Sequence, residues 1–190
     1  IDLWANKDSY KPAVYILPVL VQQPPAPTYS APPASPAPSF AHVAFVGVLV
    51  GPGKIDGTQW DGPGGTVSRE DWQQVATALG AADPYAAVIG VFAGPTIQAL
   101  EKPDCGGSAG LTSSAGAGTT WELMKKQDTF TPQWRSAWDH VPLDGSARIH
   151  VEMIDRDLFL DDPMGVFEVN ATWIQTALTA GRVVAVPVAD

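Results

Sequence analysis

Apolar residues along this chain fall into short runs separated by glycine and proline, a pattern typical of β-structure. Ile149, Val151 and Met153 alternate with mostly polar neighbours, as expected of a strand that buries one face. Residues 43–50 are almost wholly apolar, which is typical of a strand buried between two layers. Similar criteria predict strands at 13–21, 43–50, 85–93, 119–124, 134–142, 147–155, 165–170 and 182–188. This set predicts an all-β sandwich.

By composition the chain divides into three parts. Residues 1–23 form an N-terminal arm that contains the candidate strand 13–21. Pro18 cannot donate a ladder hydrogen bond, so this strand should lie at a sheet edge or be broken there. Residues 24–39 are rich in proline and alanine and predict an extended linker, either a passive spacer or a strap along a partner. Residues 40–190 are the predicted sandwich.

Other local structure interrupts the β-pattern in three places. Ser68 can cap a helix whose apolar residues recur on one face, and Gly80 suits its end. A second helical turn is predicted at 172–179. The glycine-rich segment 105–118 is typical of a flexible loop, and it lacks the Gly-Lys-Ser/Thr ending of a phosphate-binding loop.

Composition narrows the possible functions. The net charge of -9 argues against a nucleic-acid partner, since phosphates repel an acidic chain. Cys105 is the only cysteine, so neither an internal disulfide nor a cysteine-based zinc site is possible. The three histidines are scattered and no catalytic arrangement is recognisable, so we predict that the chain is not an enzyme.

A dense group of carboxylates directly follows the strand predicted at 147–155. Within eight residues the chain carries Asp155, Asp157, Asp161 and Asp162. These charges repel one another unless they are solvated or bridged by a cation, and calcium favours oxygen ligands at alternating loop positions. The spacing does not fit an EF-hand, and a solvated acidic turn is the alternative.

A second acidic stretch adds candidate ligands. Asp56 and Asp61 lie in the segment after the strand 43–50, and Asp83 precedes Pro84. Two such loops at one end of a sandwich could together supply five or six oxygens to a shared calcium ion.

Several short motifs, taken in order, resemble those of C2 domains. They are Asp-Pro-Tyr at 83–85, Phe-Thr-Pro-Gln-Trp at 130–134, the strand and loop at 149–157, and Asp-Pro-Met-Gly at 162–165. They occur in the family's order and span about residues 43–189. The resemblance implies an eight-stranded antiparallel β-sandwich that binds Ca²⁺ at loops on one edge.

The resemblance also implies particular ligands. Position by position, the aspartates that match family ligands are Asp83, Asp155, Asp157 and Asp162. The remaining first-loop ligand would be Asp61 in preference to Asp56, and Asp161 could replace Asp162. Two departures stand out. An insertion at 62–80 includes the predicted helix, and the eighth strand must come from 13–21 or from another chain.

Apolar residues beside these carboxylates are candidate contacts for a membrane or a partner. The tip of the acidic loop is Leu158, Phe159 and Leu160, and exposing three apolar side chains is costly. They either insert into a membrane or partner, or pack beneath the insertion 62–80. Trp60 is a further candidate contact, because it adjoins Asp61.

Two functions therefore remain open. The first is a calcium-binding module that attaches to phospholipid or to a protein partner. The second is a structural subunit of a bacterial envelope or extracellular assembly, which self-associates through residues 1–38 and uses calcium as a staple. The alanine- and proline-rich linker favours a bacterial source, and we expect the protein in the cell envelope, the periplasm or outside the cell.

Overall fold

Two four-stranded antiparallel sheets form the framework of the protein. The computed structural model describes residues 15–19, 40–54, 56–61, 65–157, 161–181, 184 and 186–187. The strands are β1 (Tyr15–Val19), β2 (Phe40–Leu49), β3 (Cys105–Ser113), β4 (Gly116–Lys126), β5 (Gln133–Pro142), β6 (Arg148–Asp155), β7 (Asp162–Asn170) and β8 (Val186–Pro187). The sheet orders β5-β2-β1-β8 and β4-β3-β6-β7 confirm the predicted eight-stranded antiparallel sandwich.

Helices connect some of these strands. They are α1 (Arg69–Leu79), α2 (Pro84–Phe92), α3 (Pro95–Gln98) and α4 (Ala171–Ala180). As predicted, α1 begins after Ser68, whose hydroxyl oxygen accepts a hydrogen bond from the Asp71 amide, and it ends at Gly80. None of the helices among the described residues is long and apolar enough to cross a membrane.

The prediction of a strand at 85–93 is wrong, because these residues form α2. Asp83 caps the helix by accepting a hydrogen bond from the Ala86 amide, and Pro84 stands at its first turn. Val88 and Phe92 are buried against the core. A continuous apolar run fits a buried helix as well as a buried strand, and the Asp-Pro start favours the helix.

The prediction of a flexible loop at 105–118 is also wrong. This segment forms β3 and the first residues of β4, joined by a tight turn at Ser114 and Ala115. Its small residues let β3 lie between β4 and β6 in close contact. A Cβ at Gly107, where φ is +142°, would collide with the carbonyl oxygen of Glu152. The glycines therefore reflect close strand packing instead of loop flexibility.

The N-terminal strand lies inside a sheet and not at its edge. β1 pairs with β2 along its length and with β8 at Tyr15 and Ile16. The register shifts between Leu17 and Pro18, so the ladder is broken at the proline as expected. Because Pro18 lies beyond the two residues that pair with β8, its missing N–H is tolerated in an interior strand.

The core fills the space between the two sheets. Ile149, Val151 and Met153 are all buried, which confirms the alternation predicted for β6. From the opposite sheet, Phe45 of β2 stacks on Trp134 of β5 with ring centroids 6.1 Å apart. Full burial of side chains of this size contributes roughly 1.5–3 kcal/mol each. The sheets are thereby held rigidly enough to position the loops at their ends.

Substituting alanine for two glycines tests the corrected elements. We expect Gly107→Ala to lower the free energy of unfolding by at least about 2 kcal/mol, because its φ and the Glu152 carbonyl oxygen exclude a Cβ. We expect Gly90→Ala in α2 to raise it by about 0.5–1 kcal/mol, because a Cβ there meets no atom and alanine favours a helix. Urea unfolding measures both, and a Gly107→Ala protein as stable as the parent would contradict this β3 packing.

Candidate metal centre

Five aspartates converge at one edge of the sandwich. Oxygen atoms of Asp61, Asp155 and Asp157, which we call the first triad, all lie within 4.8 Å of one another. The same holds for Asp61, Asp104 and Asp128, the second triad, so Asp61 belongs to both. Calcium binds oxygen at about 2.3–2.6 Å, so two ligands of one ion are at most roughly 5 Å apart. Both triads have the spacing of a divalent-cation site.

Asp155 is the buried member of the first triad. It is the last residue of β6, and its residue exposure is 0 %. Its Oδ1 accepts a hydrogen bond of 2.7 Å from the Asp104 amide. Its buried Oδ2 has no hydrogen-bond partner among the residues that the structure describes. An unpartnered buried carboxylate oxygen is costly, and a cation ligated by the triad would remove that cost.

Asp61 is positioned by its neighbour Trp60. The Trp60 side chain is buried in the core, and its Nε1 donates a 2.8 Å hydrogen bond to the Gly51 carbonyl oxygen. The prediction that Trp60 contacts a membrane or partner is therefore wrong, because only 5 % of the residue is exposed. Its indole instead anchors the turn that carries Asp61.

Asp104 connects the strands that surround the site. It immediately precedes β3, and its carbonyl oxygen accepts a hydrogen bond from the Arg156 amide. Its Oδ1 accepts a 2.9 Å hydrogen bond from the Asp128 amide, and its Oδ2 lies 2.6 Å from Nζ of Lys125. Asp128 has a φ of +49°, a left-handed conformation that aspartate tolerates better than most residues. These contacts join the start of β3, the end of β6 and the β4–β5 loop.

Two predicted ligands serve local turns instead. Asp56 accepts hydrogen bonds from the amide and hydroxyl of Thr58, and these bonds lower its pKa. Asp83 caps α2, since the motif that resembles a strand start is a helix start here. Neither residue belongs to the carboxylate triads.

The predicted ligands at the end of the acidic loop also lie outside the triads. Asp162 begins β7 and accepts a 2.8 Å hydrogen bond from Nζ of Lys54. Burial lowers the pKa of Lys54, but the hydrogen bond and charge of Asp162 outweigh it and raise this pKa. Asp161 is exposed, and neither aspartate is in a triad. Leu158, Phe159 and Leu160, the predicted contact residues, lie outside the described residues.

The carboxylates of the first triad are electrostatically strained. Burial and the charges of Asp155 and Asp157 raise the pKa of Asp61 to about 6. For Asp155, burial and the charge of Asp157 outweigh the Asp104 amide hydrogen bond and raise the pKa to about 6. Burial and the nearby carboxylates also raise the pKa of the Cys105 thiol, so it stays protonated and unreactive.

Asp104 and Asp128 were not among the ligands predicted from the sequence. Each is a single aspartate in its segment, whereas the predicted ligands lie in visibly acidic stretches. Asp104 would have been a candidate if β3 had been recognised, because it directly precedes that strand. Nothing in the sequence near Asp128 indicates a role at this edge.

Comparison with solved structures shows a likeness to a C2 domain. The crystal structure of a C2 domain of RIM from Drosophila is similar to this chain with a TM-score of 0.45 and 7 % identity, covering 95 % of this chain and 100 % of that domain. No protein-family model and no curated protein sequence matches the chain.

The raised pKa values predict how stability depends on pH in a chelator. Asp61 and Asp155 bind protons more tightly in the folded protein than in the unfolded chain, where an aspartate titrates near pH 4. Their stabilising contribution is therefore complete below about pH 4 and is lost as the pH rises through about 6. We expect melting temperature to fall by roughly 2–8 °C between pH 5 and pH 7.5.

Asp155→Asn is the informative variant for this pH dependence. Asparagine can still accept the Asp104 amide hydrogen bond but cannot ionise, so the fall in melting temperature should shrink. Asp83→Asn removes an exposed carboxylate outside the triads while keeping a side chain that can cap α2, so it serves as the control and should keep the parental slope. A melting temperature that rises from pH 5 to pH 7.5 would contradict the strained site.

Proposed function

We propose that this chain is a calcium-binding module that attaches to phospholipid or to a protein partner through the bound ion. The supporting observation is the buried Asp155 carboxylate, whose Oδ2 has no hydrogen-bond partner within the described part of the chain and which lies beside two further carboxylates. Such a group is costly in a fold without a cation and is satisfied by one. Carboxylate oxygens are the ligands that calcium prefers.

The residues of the first triad fit this role. Asp61, Asp155 and Asp157 would hold the ion, and Asp157 is exposed while Asp155 is buried. Calcium takes six to eight oxygen ligands, so three carboxylates leave positions for water or for an oxygen of another molecule. A lipid phosphate or a partner carboxylate is suited to that place, because it also supplies negative charge.

Partial neutralisation of this edge by the ion would explain why attachment requires calcium. The chain carries a net charge of -9, and the carboxylates at this edge repel an anionic surface. The bound ion reduces this repulsion and offers a direct contact at the same time.

Vesicle binding with a matched variant tests the proposal. Vesicles of phosphatidylserine and phosphatidylcholine should sediment with the protein in calcium and release it in EDTA. The Asp155→Asn/Asp157→Asn double variant should lose calcium binding at least about 100-fold, because it removes two charged ligands. Isothermal titration calorimetry with calcium measures this loss directly, whatever the attached partner is.

Asp83→Asn is the control for that experiment. Asparagine caps a helix as well as aspartate, so α2 should remain intact. Asp83 lies outside the triads, so calcium binding should be unchanged. Calcium binding that Asp83→Asn abolishes and Asp155→Asn/Asp157→Asn leaves intact would overturn the ligand assignment. Calcium binding without vesicle binding would favour the protein partner.

The structural subunit is the second candidate, and its calcium would act as a staple. The two triads support a stapling role for calcium, because they join loops that are distant in sequence. Its N-terminal strand, however, would have to leave the place between β2 and β8 in order to link neighbouring chains.

Deleting residues 1–38 separates the two candidates. Removal of β1 leaves β2 without a partner on one side and β8 without the strand it pairs with, so the free energy of unfolding should fall by several kcal/mol. Urea unfolding and size-exclusion chromatography with light scattering measure stability and self-association together. A deletion that abolishes self-association while leaving stability unchanged would favour the subunit.

A further inference from the structure

A positively charged side chain already lies beside the second triad. Lys125 on β4 places its Nζ 2.6 Å from Oδ2 of Asp104 and donates a 2.7 Å hydrogen bond to the carbonyl oxygen of Arg156. Two separate acceptors therefore hold the ammonium beside the triad that Asp61, Asp104 and Asp128 form.

Both oxygens of Asp104 are engaged in this arrangement. Oδ1 accepts the Asp128 amide hydrogen bond and Oδ2 contacts Lys125. Each carboxylate oxygen can accept a second contact, but a cation bound by the second triad would share Asp104 with the Lys125 ammonium. The first triad differs, because Asp155 Oδ2 has no hydrogen-bond partner in the described chain.

We infer that Lys125 takes the place of a second cation, so that this edge binds one divalent ion and not two. The inference rests on the proposed function, because it concerns how many ions the same site accepts. A divalent ion in the second triad would stand beside the ammonium, and like charges at such short distance repel strongly. Lys125 thus acts as a fixed internal counterion for Asp104, and only the first triad exchanges its cation with solvent.

Counting bound calcium tests this inference. Equilibrium dialysis against calcium should give one ion for each parental chain and two for Lys125→Met. Removing the ammonium should also tighten binding of the first calcium ion by about tenfold, because a nearby like charge is lost. A luminescence titration with terbium provides a second count, and circular dichroism checks that each variant is folded.

Two further variants serve as controls. Lys126→Met removes the same charge from the adjacent exposed position of β4 and should still bind one ion. Lys125→Arg keeps a positive charge beside Asp104 and should also bind one ion.

The outcomes separate this inference from the proposed function. Two ions in the parental chain, or one ion in folded Lys125→Met, overturn the inference while calcium binding itself stands. Two ions in Lys126→Met would show that net charge and not the position of Lys125 sets the count, which also overturns it. No ion in any of these proteins overturns both the inference and the proposed function.

Discussion

The site depends on one carboxylate that the sheet holds away from water. Asp155 ends β6, and pairing with β3 on one side and β7 on the other fixes its backbone. Its Oδ1 accepts a hydrogen bond from the Asp104 amide, its Oδ2 has no hydrogen-bond partner among the described residues, and the carboxylate lies beside those of Asp61 and Asp157. Removing a charge from water without a partner costs several kcal/mol. The fold therefore holds a repulsion that a bound cation would relieve, and binding of a cation here would be coupled to folding.

Close packing of β3 against β6 brings this carboxylate to Asp104. Gly106 leaves room for the side chain of Arg156, and Gly107 leaves room for the carbonyl oxygen of Glu152. Larger residues would separate the strands and with them the Asp104 amide from Asp155. The same small residues are the reason that 105–118 has the composition of a loop. Amino-acid composition limits the conformations that a segment can adopt. In residues 105–118 it is pairing with the neighbouring strands that determines which of them is adopted.

Prediction from the sequence was most accurate where a single strand or helix showed a clear hydrophobic pattern and also carried a residue of the site. The alternation in 147–155 identified β6, and the strand delivers Asp155 to the site. The apolar run at 85–93 has no period that separates helix from strand, and the capping by Asp83 decided for α2. Asp104 was missed because β3 was not recognised as a strand, and Asp128 was missed because nothing in its local sequence places it beside Asp61. Residues that reach a site only because strands distant in sequence pair with each other leave little trace in the sequence around them.

Charge at this edge also constrains how an anionic partner would bind. Five carboxylates would outweigh the three positive charges of one bound calcium ion and Lys125, so the edge would stay negative even when occupied. Surface potential at this edge would then still repel an anionic group, even with the ion present. Attachment would require the partner's oxygen to enter the coordination shell of the ion, where attraction at contact distance exceeds the screened repulsion. Because that repulsion acts over several ångströms, moderate salt should weaken it more than it weakens the contact with the ion. The geometry around Asp155, and not the overall charge of the chain, would then determine which partner groups can attach.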